Sequence, residues 1–457
     1  MYASTLATLS VACTVAVALQ NKSWLVKQIW KSGDHTGDSK TEARLMSFRI
    51  NFLTVYLLNM FGDWLQGPYL YALYRSYGYS VGAIGQLFVF GFLSSAIFGT
   101  LIGSMADKYG RRNLSYVFAV SYALSCATKL SPNFAILAFG RILGGIATSL
   151  LFSVFESWMI SEHFSRGFSE AELSDTFAYT TFGNGLAAIL SGIVANSAVD
   201  RYGLVTPFVI AIGFFGAALV LVVFTWNENF GAQKDPTSEH SGTFGSLVQG
   251  FTVIRNDFSM FATGMTQSFF EGSMYIFIFM WSVAVEAIVP KGTSVPYGII
   301  FASFMVSTMM GSVFFGFLMG AGNKWRAESI LQLSLVIAVV SFILIILFEK
   351  NEFILNLSFN LYEFCIGLYF PAMGTVRSQY IPESVRSSVM NIFRIPLNLI
   401  VVVILFESHS LSHSAVFTVC TGLILGCLAL QWALGAKAGS GDRLMTAKGE
   451  YVVIKEQ

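Results

Sequence analysis

The chain has 457 residues, of which 54% are hydrophobic and only 12% charged, and its net charge is +1. No soluble core hides that much apolar surface, so a water-soluble globular fold is excluded, and the balanced charge excludes a nucleic-acid footprint. The five cysteines stand singly in apolar segments without metal-ligand spacing, so they read as small buried residues and no cofactor is expected.

A bilayer core about 30 Å thick takes roughly 20 mainly apolar residues per helical crossing, and such windows recur from end to end. A β-barrel would instead show alternating strands of about ten residues. The first window, near residues 2–20, has no basic leader and is followed by Lys22, Lys27, Lys31, Lys40, Arg44 and Arg49. The positive-inside rule keeps those charges in the cytosol, so this window is expected to be a retained helix running inward from an external N-terminus, not a cleaved signal.

Six spans follow near 49–75, 82–106, 113–130, 133–160, 176–199 and 204–226, and six more near 258–286, 295–320, 328–348, 352–377, 387–407 and 412–435. The polar, glycine-bearing stretch from Trp226 to Ser246 separates the sets. The expected chain is an all-α polytopic membrane protein: an extra helix and cytosolic linker (1–48), an N-terminal six-helix bundle (49–226), a cytosolic loop (227–257), a C-terminal six-helix bundle (258–435) and a cytosolic tail (436–457). With residues 21–49 inside, twenty of the 27 lysines and arginines, Arg377 among them, fall on the cytosolic side. Five fall outside (Arg75, Lys129, Arg201, Lys291 and Lys350), and only Arg141 and Arg394 remain within spans.

Between the second and third core spans runs Gly103-Ser-Met-Ala-Asp107-Lys108-Tyr-Gly110-Arg111-Arg112, which fits G-x-x-x-D-[RK]-x-G-R-[RK]. Glycines at such a loop let helix ends approach, while the acid and the basic cluster form a network able to hold a cytosolic gate shut. A weaker echo without the acid, Gly316 to Arg326, occupies the equivalent loop of the second half, and Arg141-Ile-Leu-Gly144-Gly145 adds an arginine followed by packing glycines. These segments resemble the signatures of the major facilitator superfamily. The spans Gly62 to Tyr71, Phe152 to His163, Gln267 to Trp281 and Gly367 to Leu397 are further similar to its molybdate-anion transporter branch. That resemblance implies two bundles rocking about a midplane site and uptake of molybdate or a similar small anion, with the plasma membrane as the expected location. Another oxyanion, an organic anion or a sugar remains an alternative cargo, and a non-transporting sensor an alternative role. No phosphate-binding GxxxxGK[ST] loop and no G-x-S-x-G elbow occurs, so neither ATP drive nor an enzyme is expected.

An ionisable residue in mid-span is costly and is by default a functional candidate. By the helical rise, Asp63 lies about 21 Å into the first core span and Glu271 about 20 Å into the seventh, while Arg141 and Arg394 each lie about 12 Å deep from opposite faces. Both arginines are expected to reach one central cavity, where guanidinium forks suit a tetrahedral oxyanion. Asp63, Glu156, Glu271 and Glu363 would repel that anion if all were ionised, so pairing or protonation must neutralise some, and protons are a candidate coupling partner. Interhelical locks are the plainer role for these acids and arginines. Trp64 and Tyr69 are candidate lining residues.

Overall fold

The computed structural model describes residues 1–20, 39–230, 251–290, 293–320, 325–407, 410–439, 444–445 and 451–452. Its helices are α1 (Tyr2–Gln20), α2 (Ser39–Gln66), α3 (Leu70–Ser76), α4 (Val81–Tyr109), α5 (Arg111–Thr128), α6 (Phe134–Leu151), α7 (Val154–Ser165), α8 (Glu170–Tyr202) and α9 (Thr206–Thr225). After the inter-bundle stretch come α10 (Phe258–Ile288), α11 (Tyr297–Met319), α12 (Ala327–Leu347), α13 (Glu352–Tyr380), α14 (Glu383–Glu407) and α15 (His413–Gly439). A two-residue strand pair, Leu444–Met445 with Tyr451–Val452, is the one strand pairing among the described residues.

Ten stretches are long and apolar enough to cross a bilayer among the described residues. α2 and α5 fall short because α2 carries Lys40, Glu42, Arg44 and Arg49 in its first half, and α5 opens on Arg111-Arg112-Asn113. Both still pack inside the assembly: α2 lies against α8 and α9, and α5 against α6 and α9. Two spans expected to be continuous are broken. Gly67-Pro68 separates α2 from α3, as a proline without an N–H and with fixed φ requires, and Phe152-Ser153 separates α6 from α7, where the Ser153 hydroxyl bonds back to the Ser149 carbonyl over 2.8 Å.

Packing sorts the helices into two sets. α4 and α5 lie on α6, and α2 on α8 and α9; in the second half α10 lies on α13, α14 and α15, and α12 and α11 on α13. The sets meet along two seams, α8 against α11 and α4 against α14. α1 runs beside α11, and its Thr5 accepts a hydrogen bond from Asn356 of α13 over 3.3 Å.

The seam is closed at the end where α3 lies. Glu286 of α10 accepts the Tyr71 hydroxyl at 2.6 Å and pairs with Arg75 Nε at 3.1 Å. Beneath that ion pair, Phe88 meets Phe279 at 5.2 Å between ring centroids, Phe92 meets Tyr275 at 5.1 Å, and Tyr69 sits edge-on to Tyr297 at 5.9 Å. Backbones touch where α8 crosses α11: a Cβ on Gly298 would lie 2.2 Å from the Gly192 carbonyl oxygen.

Inside the second set, α11 crosses α13 at Gly311 and Gly367, where a Cβ on Gly367 would lie 1.9 Å from the Thr308 carbonyl oxygen. Gly367→Ala is expected to cost roughly 1–3 kcal/mol through overpacking and to lower the melting temperature of the purified protein. Gly374→Ala on the same helix, where an added Cβ meets nothing within 4 Å, should leave it unchanged or slightly raised. Equal melting of the two variants would show that the crossing is not close.

Candidate functional site

Where each intramembrane ionisable group finds its partner decides what it can do. α10 presents Gln267 and Glu271 one turn apart, on one face. Arg377, in the last turn of α13, turns back to that face, and its Nη1 donates to Gln267 Oε1 over 3.4 Å. Glu271 shares a hydrogen bond with Gln267 and lies within electrostatic reach of both Arg377 and Arg394. Two guanidiniums therefore lie within electrostatic reach of one carboxylate.

Arg394 owes its position to a lock between α14 and α10. The Phe393 ring fills the notch at Gly264, where a Cβ would lie 2.0 Å from it, and Ser268 donates its hydroxyl to the Phe393 carbonyl over 2.7 Å. Pro396 offers no N–H to the Ile392 carbonyl, which loosens the helical ladder at that turn. With this face fixed, Arg394 stays exposed and reaches the other set: its Nη1 lies 3.7 Å from where a Cβ on Gly99 would sit, beside the Ser149 hydroxyl. Ser149 is itself held by Ser95, their hydroxyls 3.0 Å apart. α14 carries the arginine, and α4 and α6 receive it.

On the N-terminal side, Asp63 of α2 accepts a hydrogen bond from the Tyr122 hydroxyl of α5. Tyr122 is oriented by stacking on Phe215 at 4.7 Å, and Gly62 leaves room for that same ring, since a Cβ there would lie 2.8 Å from it. Glu156, in the first turn of α7, is exposed and shares with Asp63 electrostatic contact to Tyr56. The carboxylates at equal depth in the two halves thus differ in company: Asp63 meets a phenol, Glu271 an amide and two guanidiniums.

Other expected site residues lie elsewhere. Arg141 does not join Arg394: it presses on Gly91, eight residues or about 12 Å along α4 from Gly99, donates to the Leu87 carbonyl over 3.3 Å and stacks 4.9 Å above Phe88. Glu363 is 5% exposed and accepts the Thr308 hydroxyl at 2.9 Å, which makes it a lock between α13 and α11. Tyr69 is buried with its hydroxyl on Asn196 Oδ1 at 2.9 Å, and Trp64 donates to Asn184 Oδ1 over 2.8 Å with its ring on Phe301. Both aromatics belong to the outer seam. Gln267, Arg377 and Tyr122 were not singled out from the sequence as site residues; the Gln267/Glu271 spacing of one turn was the available signal.

Of the glycine-rich loop, Gly103 and Asp107 lie in α4, the Asp107 side chain is outside what is described, and Lys108 lies exposed over the Tyr109 ring. Gly110 has φ +89°, and a Cβ on it would lie 2.4 Å from the Glu228 carboxyl carbon. That carboxylate accepts the Arg112 and Asn113 amides at 2.8 and 3.1 Å, capping the N-terminus of α5. Arg111 N donates to the Asn229 carbonyl over 3.0 Å, and Arg112 Nη2 to the Val223 carbonyl over 2.7 Å. Trp158 of α7 closes the knot, stacked on Trp226 at 3.7 Å with its indole N–H on the Asn227 carbonyl at 2.8 Å. The basic loop is thereby tied to the end of α9.

Comparison with known proteins gives a consistent picture. A family model described as sugar transporters with 12 transmembrane helices matches residues 24–359. A molybdate-anion transporter of Xenopus tropicalis is 35% identical over 362 residues, covering 77% of each chain. Those of Takifugu rubripes (33% identical, 79% of each chain) and Danio rerio (31% identical, 83% of this chain and 85% of the other) are similar over comparable lengths. Among solved structures, a peptide transporter POT in complex with sulfate superposes with TM-score 0.68 at 13% identity, over 86% of this chain and 94% of that one. The nucleoside transporter NupG superposes with TM-score 0.62 at 13% identity, over 85% and 98%; both likenesses show the fold alone. With the helical fold, the superfamily loop and sequence identity over most of its length in agreement, the chain belongs to the molybdate-anion transporter family of the major facilitator superfamily.

Proposed function

We propose that this chain carries molybdate, or an oxyanion of the same tetrahedral dianionic kind, across a membrane by alternating access, with Arg377 and Arg394 as its ligands. One observation supports this most: Arg394 belongs to one helix set, reaches the other, and shares Glu271 with a second guanidinium. Guanidinium forks in a low-dielectric cleft bind oxyanions through charge-assisted hydrogen bonds, whereas a neutral sugar makes no use of two such charges. The name borne by the relatives supplies the particular anion.

Transport requires the seams to open in turn. The outer contacts of Glu286 with Tyr71 and Arg75 part when the outer side opens, and the loop from Gly103 through Asp107, Lys108, Gly110 and Arg111 to Arg112 acts as the cytosolic gate. A dianion entering between Arg377, Arg394 and an ionised Glu271 leaves a net negative site, and a proton on Glu271 restores neutrality. Protons are accordingly the coupling ion, with Asp63 and Glu156 as further carboxylates on the N-terminal side. The solute passes unchanged, as in a carrier rather than an enzyme, and the plasma membrane is the location where uptake from the medium takes place.

Cells without their own uptake route, expressing this chain, are expected to accumulate molybdenum from trace external molybdate. Arg394→Ala and Arg377→Ala should each weaken uptake ten- to a hundredfold at equal surface level, since a hydrogen bond to a charged group contributes about 1.5–3 kcal/mol. Molybdenum content no higher than in vector controls, with the protein at the surface, would remove the molybdate reading. In proteoliposomes, wild-type uptake should rise as the external pH falls, while Glu271→Gln should keep molybdate exchange and lose that dependence. An unchanged pH profile in Glu271→Gln would rule out this carboxylate as the proton carrier.

A further inference from the structure

The outer end of the N-terminal set holds two cations, Lys129 buried and Arg141 half-buried, that meet no carboxylate among the described residues. Lys129, one residue beyond α5, is 2% exposed; its Nζ donates to the Ser125 carbonyl at 2.8 Å and the Ser125 hydroxyl at 3.1 Å, and lies 5.5 Å from the centre of the Phe208 ring. Arg141 uses one of its five N–H groups, on the Leu87 carbonyl, and stacks on Phe88. The two charges are close enough to repel each other, and neither makes an ion pair among the described residues. Tyr74 of α3 adjoins Arg141, one turn from Tyr77, whose hydroxyl donates to the Lys129 carbonyl; Tyr74 is 0% exposed, lies within electrostatic reach of Arg141, and its hydroxyl has no hydrogen-bond partner among the described residues.

This arrangement lacks its negative member. Two like charges among phenylalanine rings are strongly unfavourable unless neutralised, and a buried hydroxyl without a partner loses its hydration for no return. Asp63 is not the missing acid. It is bonded to Tyr122, seven residues or about 10 Å along α5 from Lys129. Spare donors on a lysine, an arginine and a tyrosine in one apolar surround match a small anion that accepts from several directions.

We infer that this outer cluster of the N-terminal set binds a small inorganic anion, held by Lys129, Arg141 and the Tyr74 hydroxyl, separately from the Arg377 and Arg394 cluster. Phe88, on which Arg141 rests, also packs on Phe279 across the seam, so the bound anion supports the closed outer face.

The test uses the purified full-length protein in detergent with sodium gluconate, a bulky organic anion, replaced at constant ionic strength by chloride, sulfate or molybdate. The melting temperature is expected to rise saturably with at least one of them, and the anion acting at the lowest concentration distinguishes halide from oxyanion occupancy. In an Arg394→Ala background, which removes the contribution of the transport cluster, a saturable rise should persist; adding Tyr74→Phe should raise its midpoint about tenfold or more, as loss of one hydrogen bond to a charged ligand implies, and adding Lys129→Met should abolish it. Should Lys129→Met fail to fold, Tyr74→Phe decides alone. No saturable rise with any of the three anions, a rise unchanged in Tyr74→Phe, or a rise abolished by Arg394→Ala would overturn the assignment. Because Arg394→Ala separates the two sites, failure here leaves the proposed transport cluster standing.

Discussion

A guanidinium in the middle of a bilayer costs at least about 2.5–3.5 kcal/mol unless a partner or water offsets it, and the arrangement around Arg394 answers that constraint. Glu271 supplies the opposing charge, Gln267 ties it to Arg377, and the Phe393 ring in the Gly264 notch sets the rotation of α14 from which Arg394 projects. Because the side chain ends beside Gly99 and Ser149 of the other set, its surroundings change whenever the two sets move against each other. A charge whose partners depend on the seam is what a carrier needs: the site is coupled to the motion by position alone.

Close helix contacts rest on small residues. Gly192 against Gly298 at the seam of α8 and α11, and Gly145 against the Gly91 carbonyl within the N-terminal set, bring helices to backbone contact, and without a hydrophobic drive between helices in lipid, such close packing supplies much of the adhesion. The outer seal is built differently, from aromatic rings and one shared carboxylate, Glu286. Rings in edge contact and a single exposed ion pair part at lower cost than interlocked backbones. Glu228, by contrast, caps α5 from within one set and ties the basic loop to α9, so that loop moves as part of a rigid body.

Most of the fold could be read from the sequence, because bilayer thickness imposes span lengths. The Gly67-Pro68 break carries its own signal; the Phe152-Ser153 break does not, since neither residue forbids a helix. The site was legible in depth but not in direction. Asp63, Glu271 and Arg394 stood out as charges within spans, yet depth does not tell which face of a helix a residue occupies, so Glu363 turned out to lock α13 to α11, and Arg141 to lie two turns outward of Arg394. Arg377 was counted with the cytosolic loop because α13 was expected to end there; the helix runs on to Tyr380, and the arginine turns back to Gln267. Asp63 and Glu271, expected at one depth, differ in their partners, since depth does not fix side-chain company.

The most direct test of the central claim is a structure with bound molybdate in which molybdenum is located by its anomalous scattering at its own absorption edge. A peak within hydrogen-bonding distance of both the Arg377 and Arg394 guanidiniums is the predicted result. A peak at Lys129 and Arg141 alone, or one that touches neither Arg377 nor Arg394, would contradict it.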